Sequence, residues 1–244
     1  MVLLIDIGNT YTKISNINRD FFIQISTSSY QTVEEIINTN HDFFQSTENA
    51  IISSVVKGKA DIFRKYLIKK YNIDPIIVSH DLIYNTIYPK KEENELGADL
   101  IAIMEALTPK FDSYIGVSLG TATVFVVVRN HKFIGCAIAP GVFTSLNGLV
   151  NSASLIENTK LRGEYTLLGM NTESSLRSGI WNGFTYLVDG YIENIKKECN
   201  MMDAPSYFVG GFSETIIKNL KSKNVIYDKD LVFKGLESIY NLNK

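Results

Sequence analysis

The sequence predicts an α/β protein built from two similar halves. Each half opens with three short apolar or alternating runs, a pattern typical of consecutive β-strands. A turn of small residues separates the first two runs in each half, at Gly8-Asn9 and at Gly120-Thr121. Helical periodicity follows the strands in both halves, so strands and helices alternate along the chain.

The length of the chain supports this division. Its 244 residues exceed one typical domain. Pro109–Asp112 looks like a junction, which gives expected domains at residues 1–111 and 112–244. Hydrophobic residues make up 45% of the chain and charged residues 20%, as in ordinary globular proteins.

The first half is predicted to contain five strands and three helices. Strands are expected at Val2–Ile5, Tyr11–Ile14, Phe21–Ile25, Ala50–Val55 and Pro75–Ser79. Helices are expected at Thr32–Ile37, Lys57–Tyr71 and Gly97–Leu107, the last with Asp99 in its first turn. Residues 80–95 are polar and predict a solvated loop.

The second half repeats the order of elements. Strands are expected at Tyr114–Leu119, Thr121–Val128, Phe133–Ile138 and Tyr207–Val209, with a turn at Asn130-His131. Helices are expected from Gly141 to about Leu155, at Ser174–Cys199, at Ser213–Leu220 and at Leu231–Leu242. The last helix could cross back to the first half.

The turn between the first two strands carries groups suited to a phosphate chain. Gly8 lets the backbone approach closely because it has no Cβ, and Asn9 and Thr10 add short polar side chains. Lys13 supplies a point charge for phosphate. Asp6 would hold a magnesium ion or its waters rather than phosphate itself. An ordinary hairpin with a Gly-Asn turn explains this stretch equally well.

A second turn, at Gly120-Thr-Ala-Thr123, favours the phosphate-binding interpretation over an ordinary hairpin. It also lies between two apolar runs and repeats the arrangement of the first turn. Two phosphate-type hairpins about a hundred residues apart indicate two similar half-domains that face each other across a nucleotide.

Six motifs then resemble the type III pantothenate kinases in order and approximate spacing. They are Asp6-Ile-Gly-Asn-Thr-x-x-Lys13, Leu96-Gly-Ala-Asp99, Gly120-Thr-Ala-Thr123, Ala139-Pro-Gly141, Asn171-Thr172 and Gly210-Gly211. The resemblance covers nearly the whole chain. It implies two ribonuclease H-like half-domains of the actin, hexokinase and sugar-kinase superfamily.

The resemblance also implies an activity and its ligands. These kinases use ATP to phosphorylate pantothenate to 4'-phosphopantothenate, the first step of coenzyme A biosynthesis. The implied cofactors are ATP, Mg²⁺ and a monovalent cation, K⁺ or NH₄⁺. The implied partner besides pantothenate is a second copy of the chain, in a homodimer.

The functional residues of the family map onto this chain position by position. Asp99 matches the catalytic proton acceptor, and Thr172 matches a substrate contact made across the dimer. Ser118 stands at the monovalent-cation position. The implied ATP-binding residues are Asp6, Ile7, Gly8, Asn9, Thr10, Tyr11, Thr12, Lys13 and Thr121. The implied pantothenate-binding residues are Gly97, Ala98, Asp99, Leu100 and Thr172.

Several positions depart from the family pattern, and three of them remove a charged group near the substrate or cation. Leu100 replaces an arginine that binds the pantothenate carboxylate, and Ser118 replaces an aspartate that ligates the cation. Val126 stands where a further acidic residue is common. Two hypotheses therefore remain open: an active pantothenate kinase, or a degenerate or altered-specificity relative that acts as a nucleotide-binding or regulatory accessory protein.

Composition argues against several other classes of function. A net charge of −2 does not suggest a surface for nucleic acid or for an anionic membrane. No apolar run approaches the ~20 residues of a membrane span, and the N-terminus lacks the basic leader of a signal peptide. Cys136 and Cys199 show no metal-ligand spacing and are expected to be buried. We therefore expect a soluble cytoplasmic protein.

Overall fold

In a computed structural model of the protein, the chain forms two compact units. The structure describes residues 1–28, 32–89, 95–153, 161, 163 and 165–244. Unit 1 comprises Met1–Phe111 together with Asp230–Lys244, and unit 2 comprises Asp112–Lys229. The domain boundaries 1–111 and 112–244 remain a prediction, and unit 1 differs from the first of them by including the last helix.

Unit 1 is a five-stranded sheet with helices on both faces. Its strands are β1 (Val2–Ile7), β2 (Tyr11–Asn16), β3 (Phe22–Ser26), β4 (Asn49–Ser54) and β5 (Ile76–Ile77). Its helices are α1 (Val33–Thr39), α2 (His41–Gln45), α3 (Lys59–Tyr71), α4 (Ala98–Leu107) and α8 (Leu231–Asn243). The strand order is β3-β2-β1-β4-β5, antiparallel from β1 to β3 and parallel from β1 to β5.

Successive side chains of β1 pack alternately into the two hydrophobic cores of unit 1. Leu3, Ile5 and Ile7 pack on one side with residues of α1, α2 and α3. Leu4 packs on the other side with residues of α4 and α8. Because successive side chains of a strand point to opposite faces, a continuous apolar run predicts a strand that is covered on both sides.

Unit 2 repeats the strand topology of unit 1. Its strands are β6 (Tyr114–Leu119), β7 (Ala122–Arg129), β8 (Lys132–Pro140), β9 (Ser206–Val209) and β10 (Val225–Tyr227), in the order β10-β9-β6-β7-β8. Its helices are α5 (Val142–Ser152), α6 (Thr172–Glu198) and α7 (Ser213–Ile217). Three antiparallel strands are again extended by two parallel ones, so the predicted internal duplication is confirmed.

The backbone conformation of the β7–β8 turn explains why two polar residues occupy it. Asn130 and His131 have φ of 52° and 59°. Consecutive residues with positive φ are the requirement of the type I′ hairpin turn, and asparagine tolerates this region well. The predicted turn at these residues is confirmed.

Two sequence expectations, about short elements and about the cysteines, were incomplete or wrong. Helix α2 and strand β10 were missed, since both are short. Cys136 is exposed and Cys199 is half-buried, against the expectation of two buried thiols. The charged stretch 90–94 and the expected helix end at Leu155 lie outside the described residues.

Residues 83–88 are also not a freely solvated loop. The buried Glu105 carboxylate of α4 accepts hydrogen bonds from the backbone N–H groups of Asn85 (2.8 Å) and Thr86 (3.0 Å). The Tyr88 hydroxyl donates to the same carboxylate at 3.2 Å. A buried carboxylate is retained where it is satisfied in this way, so the segment is fixed onto α4.

Candidate active site

The first hairpin turn joins β1 to β2 through three residues. The Gly8 N–H donates to the Tyr11 carbonyl at 3.0 Å, and a Cβ added at Gly8 would lie 3.1 Å from that oxygen. A side chain at Gly8 would therefore crowd the turn. Asn9, Thr10 and Tyr11 are exposed, whereas Thr12 is buried.

Thr27, which the sequence analysis missed, braces this turn. Its hydroxyl donates to the Gly8 carbonyl at 2.7 Å and lies 3.1 Å from the Thr12 hydroxyl. Its N–H donates to the Thr10 carbonyl at 2.9 Å. A three-strand meander places the residue after β3 beside the β1–β2 turn, since Tyr11 pairs with Ser26. That register is the signal that could have identified Thr27.

Asp6 lies at the buried end of β1, between two other strands. It pairs in register with Lys13 of β2 and with Ser53 of β4. Only 9% of Asp6 is exposed, and its Oδ1 atom is buried without a hydrogen-bond partner among the described residues. Burial and the charge of Asp99 raise the pKa of Asp6 to about 7, against the lowering effect of Lys13 and Ser53.

Asp99 occupies the first turn of α4, as predicted. Its Oδ1 accepts the Leu100 N–H at 2.9 Å. Gly97 precedes the helix, and a Cβ added there would lie 2.7 Å from Asp99 Oδ1. Burial raises the pKa of the Asp99 carboxyl above its usual range. Gly97 therefore gives the carboxylate the space in which it lies.

The structure thus brings three predicted residues of unit 1 to one site. Asp6 and Asp99 come from different elements, yet the charge of Asp99 acts on Asp6. Lys13 lies across the strand pair from Asp6. Two carboxylates with raised pKa values beside one lysine are an arrangement suited to proton transfer and to binding a magnesium–phosphate group.

The second hairpin turn belongs to unit 2. The Gly120 N–H donates to the Ala122 carbonyl at 3.0 Å. The carbonyl of the exposed Thr121 accepts from Gly141 N–H at 3.0 Å and from the Thr144 hydroxyl at 2.6 Å. A Cβ at Gly141 would lie 2.1 Å from the Gly120 carbonyl oxygen. Only glycine fits there, which explains the Ala-Pro-Gly motif.

The first glycine of the pair after β9 is explained by the same strand end, whereas a Cβ at Gly211 would meet nothing within 4 Å. Gly210 has φ of +112°, and a Cβ there would lie 2.3 Å from the Leu119 carbonyl oxygen. Leu119 is the last residue of β6. Backbone conformation and close approach both require glycine at 210.

Comparison with known sequences identifies the family of the chain. A model of the type III pantothenate kinase family matches residues 2–194. The chain belongs to the type III pantothenate kinase family. A type III pantothenate kinase of Malacoplasma penetrans is 30% identical over 99% of this chain and 97% of its own length. One of Thermosipho africanus is 31% identical over 98% of each chain.

Solved structures support the fold class. A proposed Baf family transcriptional activator from Campylobacter jejuni has a TM-score of 0.64 at 20% identity, over 98% of this chain and 97% of that one. A proposed N-acetylmannosamine kinase from Listeria monocytogenes has a TM-score of 0.55 at 12% identity, over 98% of each chain. At these identities the likeness concerns the fold alone. It confirms the predicted α/β fold of two similar halves.

The residue predicted to face the pantothenate carboxylate is apolar in this chain. Leu100 is 7% exposed and follows Asp99 on α4. An aliphatic side chain offers no hydrogen bond to a carboxylate. Gly97 and Ala98 are half-buried beside it. Thr172 is the exposed first residue of α6, after an Asn171 cap whose side chain accepts the Ser174 N–H at 2.8 Å.

The residues fit a magnesium ion better than a monovalent cation. Mg²⁺ is usually held by one or two carboxylates and the substrate phosphates, and the buried Asp6 carboxylate, whose Oδ1 has no hydrogen-bond partner among the described residues, suits that role. Ser118 lies near the end of β6, opposite Val124. β6, β7 and β8 carry no acidic side chain, so these strands offer only neutral oxygens to a cation at Ser118.

Other features of the described residues add no second site. They contain no cluster of three or more His, Cys, Asp or Glu side chains placed to hold a metal. No helix among them has both the length and the apolar character needed to cross a bilayer. An open cavity of about 410 Å³ in unit 1 contains none of the predicted site residues. Its lining includes Arg19, Glu105, Lys110, Lys234 and Glu237.

Proposed function

We propose that this protein transfers the γ-phosphoryl group of ATP to the terminal hydroxyl of pantothenate, giving 4'-phosphopantothenate and ADP. The observation that carries the proposal is the site formed by Asp6, Asp99 and Lys13. In this chain of the pantothenate kinase family, we assign Asp99 as the base, Asp6 as the magnesium-type carboxylate and Lys13 as the phosphate-binding cation.

Asp99 has the role of proton acceptor. The pantothenate hydroxyl gives its proton to the Asp99 carboxylate as its oxygen bonds to the γ-phosphorus, and ADP leaves. Burial raises the pKa of Asp99, which makes the carboxylate a better base near neutral pH. The Leu100 N–H and the space at Gly97 keep the carboxylate in place.

The phosphate groups are assigned to the first hairpin turn. Residues 6–13 would bind ATP through Lys13, through exposed Asn9 and Thr10, and through the close backbone at Gly8. When bound, Mg²⁺ would neutralise charge on the β- and γ-phosphates, and Asp6 would hold the ion or its waters. Thr121 of the second turn is proposed as a further ATP contact.

The finer properties of the family are proposed with the activity. The exposed Thr172, with neighbouring exposed Leu168 and Met170, supports a homodimer in which Thr172 serves a site of the second copy. K⁺ or NH₄⁺ would meet only neutral oxygens at Ser118, so we propose at most a weak dependence on either ion. Free cysteines suit a cytoplasmic protein.

The deciding experiment measures phosphopantothenate by mass spectrometry. The wild-type protein, with ATP, magnesium and potassium or ammonium, should form product only when pantothenate is present. Asp99→Asn should abolish product while ATP binding, read by thermal shift, persists. Asp61→Asn is the matched control, because Asp61 is an exposed first-turn aspartate of α3. Absence of product from a wild-type protein that binds ATP would support the non-catalytic accessory hypothesis instead.

A further inference from the structure

Ser53 is a buried polar residue that the proposed chemistry does not yet use. It lies on β4, is 0% exposed, and its Oγ atom has no hydrogen-bond partner among the described residues. An unsatisfied buried hydroxyl costs stability. Its presence, buried near the end of β4, therefore calls for a reason.

The reason is suggested by the strand register. β1 and β4 are parallel, and Ser53 is the register partner of Asp6. Neighbouring strands lie about 4.8 Å apart, and residues opposite each other across a strand pair project from the same face of the sheet. Oδ1 of Asp6 is likewise buried without a partner. Two unsatisfied polar atoms therefore occur side by side.

The two groups already interact without forming a full hydrogen bond. The Ser53 hydroxyl lowers the pKa of Asp6, so it favours the ionised carboxylate. Catalytic hydrogen bonds are often long in ligand-free proteins and shorten in the loaded state. A hydrogen bond from Ser53 Oγ to Asp6 Oδ1 would satisfy both atoms at once.

Two other charged groups act on Asp6, and neither fixes its orientation. Lys13 of β2 attracts the carboxylate, but its ammonium is on a flexible stem and is suited to phosphate. Asp99 of α4 repels it. Among the groups that act on Asp6, Ser53 is the neutral hydroxyl that can donate to one oxygen and leave the other for the cation.

We infer that Ser53 is a positioning residue that donates a hydrogen bond to Oδ1 of the ionised Asp6, so that the carboxylate is presented to a magnesium–nucleotide complex. The inference rests on the proposed function only for the nature of that ligand. It requires no pantothenate and no turnover.

The test measures how magnesium chloride promotes binding of adenylyl imidodiphosphate, a non-hydrolysable ATP analogue, by calorimetry. Ser53→Ala removes the hydroxyl, and we expect the apparent magnesium affinity to fall about tenfold, the effect of one hydrogen bond to a charged group. Analogue binding without magnesium should be unchanged. Ser53→Thr keeps the hydroxyl and should restore most of the affinity.

The control is Ser206→Ala. Ser206 is a fully buried strand serine of unit 2 whose Oγ also has no partner among the described residues. Its loss should leave the magnesium dependence unchanged. If Ser53→Ala unfolds the protein, Ser53→Cys keeps the side-chain volume with a weaker donor and should show an intermediate loss.

A wild-type magnesium response in Ser53→Ala would overturn the inference, as would an equal loss in Ser206→Ala. A loss that is the same with and without magnesium would also contradict it, because that pattern indicates general damage to the nucleotide site. Failure to phosphorylate pantothenate would refute the proposed function and leave this binding result standing.

Discussion

The two carboxylates show how function conflicts with stability at single residues. Asp6 is buried and Asp99 is partly buried, and burial raises the pKa of each. A buried carboxylate disfavours its own ionised form. Ionising these carboxylates therefore costs free energy, which a bound cation can offset. Such perturbed groups are typical of functional sites.

The first prediction concerns Asp6 and pH. The folded pKa of about 7 lies above the ordinary value of 3.8, so between these values the folded protein holds a proton that the unfolded chain releases. The free energy of unfolding should fall as pH rises from about 4 to about 7. Asp6→Asn removes this effect and should stabilise the magnesium-free protein near neutral pH by roughly 2–4 kcal/mol.

Denaturant titrations at pH 5 and pH 7.5 measure the effect. The difference between Asp6→Asn and wild type should grow with pH, whereas Asp61→Asn on the surface should follow wild type. Parallel pH curves for Asp6→Asn and wild type would show that Asp6 is not destabilised by burial.

The second prediction concerns Leu100. Leu100→Arg restores a cation beside Asp99 and should lower the KM for pantothenate by roughly ten- to a hundredfold, the strength of a charge-assisted hydrogen bond. Steady-state kinetics with varied pantothenate measure it, with Leu100→Met as the uncharged control of similar volume. A KM equal to that of wild type, in a folded variant, would mean that leucine is not the cause of weak acceptor binding.

At the scale of elements, the first hairpin depends on a third strand. The β1–β2 turn contains only short side chains. The hydroxyl of Thr27 donates a hydrogen bond to the Gly8 carbonyl, and its N–H donates one to the Thr10 carbonyl. The turn therefore depends on the β1–β2–β3 meander as well as on its own Gly8–Tyr11 hydrogen bond.

The third prediction follows from this brace. Thr27→Val keeps the shape but removes the hydrogen bond to Gly8, worth about 1 kcal/mol. We expect the KM for ATP to rise about fivefold while the KM for pantothenate stays constant. Thr27→Ser retains the hydroxyl and serves as control. Equal rises in both KM values would indicate a loss of fold rather than a loosened turn.

The fourth prediction concerns the crossing of α4 and α8. A Cβ at Gly235 of α8 would lie 1.7 Å from the Ala102 carbonyl oxygen of α4. Because backbone cannot move aside cheaply, Gly235→Ala should destabilise unit 1 by roughly 1–3 kcal/mol or more. Gly190→Ala in α6 meets nothing within 4 Å and should stabilise by up to about 1 kcal/mol. Chemical denaturation distinguishes the two signs.

At the scale of the molecule, one supersecondary plan is used twice. The orders β3-β2-β1-β4-β5 and β10-β9-β6-β7-β8 are the same arrangement read from opposite edges. Each copy places a small-residue turn at the end of its first strand, at Gly8 in unit 1 and Gly120 in unit 2. The last helix, Leu231–Asn243, belongs to unit 1 and, together with α4, covers one face of its sheet.

The fifth prediction concerns assembly. Leu168 is 80% exposed and Met170 is 96% exposed, both close in sequence to Thr172. We expect sedimentation to give twice the chain mass of 27.4 kDa, and Leu168→Asp to shift the protein towards the monomer. Ile83→Asp changes a comparably exposed apolar residue of unit 1 and should leave the mass unchanged. A monomeric wild type would remove the basis for a role of Thr172 across subunits.

The sequence by itself determined the strands with apolar runs, the long helices and the two glycine turns. These features are local, since periodicity and turn chemistry act over a few residues. The same is true of Asp99 in the first turn of α4 and of the motifs that carry the family resemblance. Short elements such as α2 and β10 have too few residues to show a period.

Tertiary structure decided what depends on register and burial. Ser53 faces Asp6 only because β4 pairs with β1 in one register, and Thr27 reaches Gly8 only because β3 follows β2. The raised pKa of Asp6 arises from burial and from Asp99, ninety-three positions later in the chain. Such effects come from residues distant in sequence, so no local pattern records them, and they are what turn a hairpin with an aspartate into a candidate catalytic site.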